Sequence, residues 1–191
     1  MRHARLRLGL AIALTSGTAS LQASPQITEI ITPYTVSLER TSDFFRKLDS
    51  ASPIRSGRTK RHSDTEWDIY WNFAPKAGPD GCRLTRIVTE AVVTQTLPRV
   101  LSLPADPKVR LAFEEYEAAM QRHALHQLQL ALDAATEVEQ YFQSLPSSPS
   151  CRAIAKQANS EGCRIVARYR EQDAPFDRAA WETSRNKTAQ R

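Results

Sequence analysis

The chain has no G-x-S-x-G segment and no C-x-x-C pair, and its six glycines in 191 residues form no loop that could cradle a phosphate. These gaps set aside nucleophile-elbow hydrolases, dithiol redox enzymes and P-loop nucleotide binders. It also has no apolar stretch of spanning length. A transmembrane helix needs about 20 apolar residues, and the most apolar run, Leu8 to Leu14, is far shorter. Internal repeats and low-complexity tracts are missing too, so solenoids and disordered linkers are not expected. Histidine and cysteine are scarce, at four and three residues, which leaves few candidates for metal or thiol chemistry.

What is present begins with a leader. Met1 to Arg7 is basic, Leu8 to Leu14 is apolar, and small residues follow as far as Ala23. This is the layout of a secretory signal peptide, with a cut expected before Ser24; a cut after Ala19 fits nearly as well. Residues 1–23 are therefore expected to be removed, and the mature protein to be periplasmic or secreted. The leader carries Arg2, Arg5 and Arg7 and no acid. Without it, 23 basic and 21 acidic side chains remain, a net charge of +2. The high isoelectric point thus belongs mostly to the leader and does not point to a nucleic-acid partner. The densest basic cluster, Arg55, Arg58, Lys60 and Arg61, has no interleaved aromatics and reads as a solvated loop, with His62 beside it.

The pattern along the chain predicts an α+β fold. Residues 24–31 read as an irregular lead-in. Tyr34, Val36 and Leu38 alternate with polar residues, as in a strand. Phe44, Phe45 and Leu48 give a short helix its apolar face. Trp67, Ile69, Trp71 and Phe73 share one face of the clearest strand, with Glu66, Asp68, Tyr70 and Asn72 on the other. A turn at Pro79, Asp80 and Gly81 leads into a β-rich run from Cys82 to Leu97, in which the parity of the apolar residues shifts and a bulge is expected. These two runs predict an antiparallel hairpin. Asp106 and Pro107 then supply an N-cap and a first helical residue. The helix should run to about Leu145, with Val109, Phe113, Tyr116, Met120, His123, Gln127, Leu130, Ala134, Val138 and Tyr141 on its buried stripe. Ser148 and Pro149 open a final helix with Ile154, Ala158, Ile165 and Val166 inside. The expected architecture is a small antiparallel β-sheet followed by a long helix and an antiparallel C-terminal helix. It forms one domain over residues 24–175, with a polar tail at 176–191.

In an exported protein, three cysteines suggest one disulfide and one spare thiol. If Cys151 and Cys163 lie on one helix they stand ~18 Å apart, beyond the ~7 Å that a disulfide tolerates. Cys82 with Cys151 is then the expected pair, tying the sheet to the last helix. Three reduced, packed cysteines are the alternative.

The most informative stretch is His123, Ala124, Leu125, His126 and Gln127. It resembles a zinc-protease H-E-x-x-H motif, in which two histidines on one helix face bind zinc and the glutamate activates the bound water. Ala124 stands where the base would be and Gln127 where the second ligand would be. His126 lies three residues from His123, ~60° around the helix. With Asp133, Glu137 or Glu182 it could complete an altered metal site. Without a positioned base the rate of such a hydrolase would fall ~10²–10⁴-fold.

Other features carry a resemblance to a known family. They are Tyr34-Thr-Val36, the Thr65-x-Trp67-x-x-x-Trp71 strand, Cys82 opening the next strand, Leu97-Pro98, Phe113-Glu-Glu-Tyr116 before the histidine motif, and Ser150-Cys151. In order and spacing these are similar to a bacterial domain-of-unknown-function family described as predicted secreted zinc-dependent proteases. The resemblance implies a zincin-like fold and a zinc site. Phe176-Asp177 matches the family's tyrosine–aspartate pair, but Ala180 to Thr183 replaces its T-x-H-G element, with Glu182 in that segment. Three readings follow, the last of them a purely structural envelope domain. The first is an inactive relative that binds or scaffolds a protein or peptide, with no cofactor. The second is a zinc-dependent peptidase using His123, His126 and a carboxylate.

Overall fold

The computed structural model describes residues 24–56, 59–102 and 104–189, with side chains described as far as residue 174 except at residues 56 and 59. The expected leader and the side chain of Glu182 lie outside the described residues.

The chain is α+β. Strand β1 (Gln26–Val36) is followed by a 3-10 turn at Thr41–Asp43 and by helix α1 (Phe44–Ala51). A small hairpin, β2 (Arg55–Ser56) with β3 (Thr59–Lys60), leads to the long strands β4 (Asp64–Gly78) and β5 (Gly81–Val100). Two helices of similar length end the chain, α2 (Pro107–Ser144) and α3 (Cys151–Ala189).

The main sheet has the order β1-β5-β4. β4 and β5 form the expected antiparallel hairpin. The sheet is nevertheless mixed, not purely antiparallel, because β1 pairs with β5 in parallel from Gln26 opposite Glu90 to Val36 opposite Val100. The irregular lead-in expected at residues 24–31 is thus mostly strand. Its first eight residues are exposed on both faces, so no apolar alternation marks them; the ladder to β5 holds them in place. Ile27, Thr28, Ile30 and Ile31 are the β-branched types that favour such a backbone.

The expected bulge is present. Asn72 pairs with Val88 and Ala74 with Thr85, so Arg86 and Ile87 together oppose Phe73. Arg86 takes a positive φ of 51° to make room, an uncommon conformation for a residue with a side chain. At the hairpin turn Gly81 has φ 105°, and a Cβ there would sit 2.6 Å from the Ser148 carbonyl oxygen. This close approach lets Cys82 exchange two backbone hydrogen bonds with Ser148, of 2.7 and 2.9 Å. Cys82 and Cys151 are joined by a disulfide with their Cα atoms 5.1 Å apart, and Cys163 is free and exposed on α3.

α2 starts as its sequence dictates. Asp106 accepts a 2.8 Å hydrogen bond from the Lys108 amide, and Pro107 fills the first turn. In α3 the cap moves from the expected Ser148 to Ser150, whose hydroxyl accepts from the Ala153 amide. The stripe of α2 covers two apolar clusters. Val109, Phe113, Tyr116 and Met120 pack with Val36, Leu38, Phe44 and Leu48. Farther along, Ala131, Ala134, Val138 and Phe142 pack with Trp67, Ile69, Val93 and the α3 residues Ala158 and Ile165. The histidine motif lies between these clusters. No helix among the described residues is long and apolar enough to cross a membrane.

Candidate functional site

His123, Ala124 and Gln127 are all buried, on the side of α2 turned to the sheet and α3, while His126 is only half-buried. His123 and Gln127 are one turn apart on the same stripe, as their spacing requires. Gln127 is held by a partner from the last helix: its Nε2 donates to Asp173 Oδ2 at 3.3 Å. The same oxygen accepts from the Trp67 indole N–H at 3.1 Å. Arg170 stacks over the Trp67 ring at 5.5 Å and donates to Asp68 at 2.5 Å. The motif position therefore joins β4, α2 and α3 through an indole, a carboxamide and a carboxylate.

Two acceptors in this group have no donor. Gln127 Oε1 and Asp173 Oδ1 are buried without a hydrogen bond. Buried acceptors left in this way cost about 1–3 kcal/mol each. Asp173 is a residue that the sequence reading passed over; it lies 46 residues from Gln127, and no local pattern connects them.

Among the described residues no three His, Cys, Asp or Glu side chains come together in a way that could hold an ion. Asp133 instead accepts from Gln129 at 2.8 Å, on the exposed side of α2. Glu137 is bonded to Arg168 and Tyr169, and the Arg168 hydrogen bond draws its carboxyl below the usual range. Ala124 offers no proton acceptor. Among the described residues, the three-ligand, one-base arrangement that the intact motif supplies is not assembled.

A second polar cluster was not foreseen. His62, read from sequence as a solvated loop residue, is only 4% exposed. Its Nε2 lies 2.8 Å from Asp49 Oδ1 and its Nδ1 2.6 Å from the Tyr116 hydroxyl. In the neutral ring, Nε2–H donates to the carboxylate and Nδ1 accepts from the phenol. Tyr34 donates to the His62 carbonyl at 2.7 Å, and burial, with a smaller contribution from Asp49, pushes its hydroxyl pKa up to about 12. Phe45 stacks on the imidazole. The carboxylate–imidazole–hydroxyl order looks like a proton relay, but it runs the wrong way for catalysis. Its carboxylate end is half exposed, whereas its hydroxyl end is buried among Phe44, Phe45 and Phe113. A nucleophile would have to sit at the accessible end. This cluster ties β1, α1, the loop after β3 and α2 together.

The fold and these two clusters define an α+β protein with a paired-helix layer packed on a mixed three-stranded sheet, its motif helix pinned from both sides. The family described as "Bacterial protein of unknown function (DUF922)" matches residues 31–183. The chain belongs to that family. No curated protein and no solved structure matches it.

Proposed function

We propose that this chain is an exported envelope protein of metalloprotease-like, zincin-like ancestry that no longer catalyses peptide cleavage and instead binds an extended segment of a protein or peptide. The observation that carries this reading is β1. It is an eleven-residue strand at the edge of the sheet, with Ile27, Ile30 and Ile31 exposed and Glu29 its only charge. Edges of this length are normally blunted by charges or covered, since their unpaired backbone groups invite another strand. The loss of chemistry is supported by Ala124 and by the commitment of Gln127 to Asp173. The disulfide fits an oxidising compartment.

A second reading, a zinc-dependent peptidase with an altered ligand set, draws on the donor-less acceptors Gln127 Oε1 and Asp173 Oδ1 beside the motif. Metal analysis of the purified chain separates the two. The binding reading expects substoichiometric zinc, no cleavage of unstructured peptides, and peptide capture that is unchanged in His123→Ala. Stoichiometric zinc that disappears together with cleavage in His123→Ala and His126→Ala would establish the peptidase.

A further inference from the structure

We infer that the segment taken up along β1 is basic, an extended stretch in which lysine or arginine alternates with apolar residues; this rests on the edge-binding reading above. The registers define what such a segment would meet. Across the sheet, Gln26, Glu90 and Tyr70 form one outward row, Thr28, Val92 and Asp68 the next, and Ile30, Thr94 and Glu66 a third. These rows lie on the face away from the helices, because the intervening residues Trp67, Ile69, Ala91 and Val93 form the core. Tyr70 is 57% exposed and Val88 46%. The outward positions of these rows carry Glu66, Asp68 and Glu90 and no basic residue, although the chain without residues 1–23 still has a net charge of +2; of the three, Asp68 is met by Arg170 of α3. Glu90 is drawn toward β1, since its Oε1 accepts a 2.7 Å hydrogen bond from the Thr28 hydroxyl.

A strand added outside β1 alternates its side chains between two surfaces. On the outward side it runs within a long side chain's reach of Glu90, two strand spacings or ~10 Å away. On the inward side it passes Glu29 and then a groove of about 290 Å³ lined by Ile31, Pro33, Leu97, Met120, Arg99 and Glu117. The groove suits an apolar side chain. Among the described residues along this path, Glu29, Glu90 and Glu117 supply carboxylates and Arg99 a guanidinium. A second copy of this chain is a poorer occupant, because antiparallel pairing of β1 with its own copy sets like charges together in the registers that bring Glu29 opposite its counterpart.

The test uses the purified chain and three labelled peptides as long as β1, alternating Lys–Val, Thr–Val and Glu–Val, followed by fluorescence anisotropy at low salt and at about 0.5 M salt. The expected result is that Lys–Val binds most tightly, weakens with salt, and loses about threefold to tenfold in affinity in Glu29→Gln/Glu90→Gln. Ile31→Asp adds attraction for the cation but removes the apolar wall of the groove, and it should still weaken binding; circular dichroism confirms that each variant is folded. Equal binding of all three peptides, lost in Ile31→Asp, overturns the basic partner and leaves the edge reading standing. Absence of binding by every peptide, or indifference to Ile31→Asp, overturns both. A concentration-dependent dimer in sedimentation that Ile31→Asp dissolves makes the occupant a second copy and also overturns the proposal.

Discussion

The His62 cluster and the Gln127–Asp173 pair are both buried polar groups against α2, and they differ in how completely they are satisfied. Around His62, both ring nitrogens and the backbone carbonyl have partners, from Asp49, Tyr116 and Tyr34. Around Gln127, two donors converge on one carboxylate oxygen while two buried acceptors receive nothing. The first is a closed network that fixes how four segments meet. The second is an open pair, in which two acceptors lack a donor. A buried polar group stabilises a fold only when its partners are in place. The motif that draws attention in the sequence is therefore the less settled part of the molecule, and the inconspicuous histidine is the anchor.

The largest expected effect concerns the tie that helps hold the Gln127 side together. The disulfide links residues 69 apart, and a loop of that size corresponds to ~4 kcal/mol in the chain-entropy account. Cys82→Ser/Cys151→Ser should lower the thermal midpoint by roughly 8–16 °C. Hydrogen exchange should show α3 and the β4–β5 turn losing protection first, while the β1–α1–His62 region keeps its own. A uniform loss of protection would mean that the two regions unfold as one and would remove the basis of the comparison.

The fold was legible where side chains alternate or recur and illegible where only pairing decides. The two tryptophans of β4, the parity shift that becomes the bulge at Arg86, and the cap at Asp106 were all readable, because each depends on neighbours within a few residues. Cys82 and Cys151 were paired by excluding a helix-separated alternative. The parallel pairing of β1 could not be read, because a strand exposed on both faces carries no apolar period. His62 was misread for a related reason. Its partners Asp49 and Tyr116 lie 13 and 54 residues away, and the adjacent arginines and lysine gave the stretch the composition of a solvated loop. Asp173 was hidden in the same way. A motif can be recognised from one chain, but a network assembled by the fold cannot.

Paired substitutions test the contrast directly. His62→Ala removes the partner of Tyr116 and of Asp49 and opens a space beside Phe45; it should destabilise by about 3 kcal/mol. Gln127→Met keeps the volume and deletes an acceptor that has no donor, at the expense of one 3.3 Å hydrogen bond. It should change stability by less than ~1 kcal/mol. Chemical denaturation of both variants gives the two values. If Gln127→Met proved as damaging as His62→Ala, the motif position would be structural in its own right and the idea of a relaxed, vacated site would fail.

The smallest effect is a pH dependence that sets two glutamates of α2 against each other. Glu139 is 2% exposed, and burial raises its carboxyl above the ordinary glutamate range. A raised folded-state value means that the protonated form is favoured by folding, so its contribution is present below pH ~4.5 and is lost as the pH climbs through the folded value. Glu137, two residues earlier and paired with Arg168 near the surface, has the opposite sign: its contribution is present above the unfolded value and is lost on acidification. Glu139→Gln should therefore stabilise the protein at neutral pH by less than ~1 kcal/mol, with the gain vanishing near pH 4. Glu137→Gln should slightly destabilise at neutral pH and be silent in acid. Urea midpoints across pH 4 to 8 read both slopes. If Glu139→Gln destabilised at neutral pH, its carboxylate would be ionised and usefully bound, and the Trp67–Phe142 side of α2 would be as well satisfied as the His62 side.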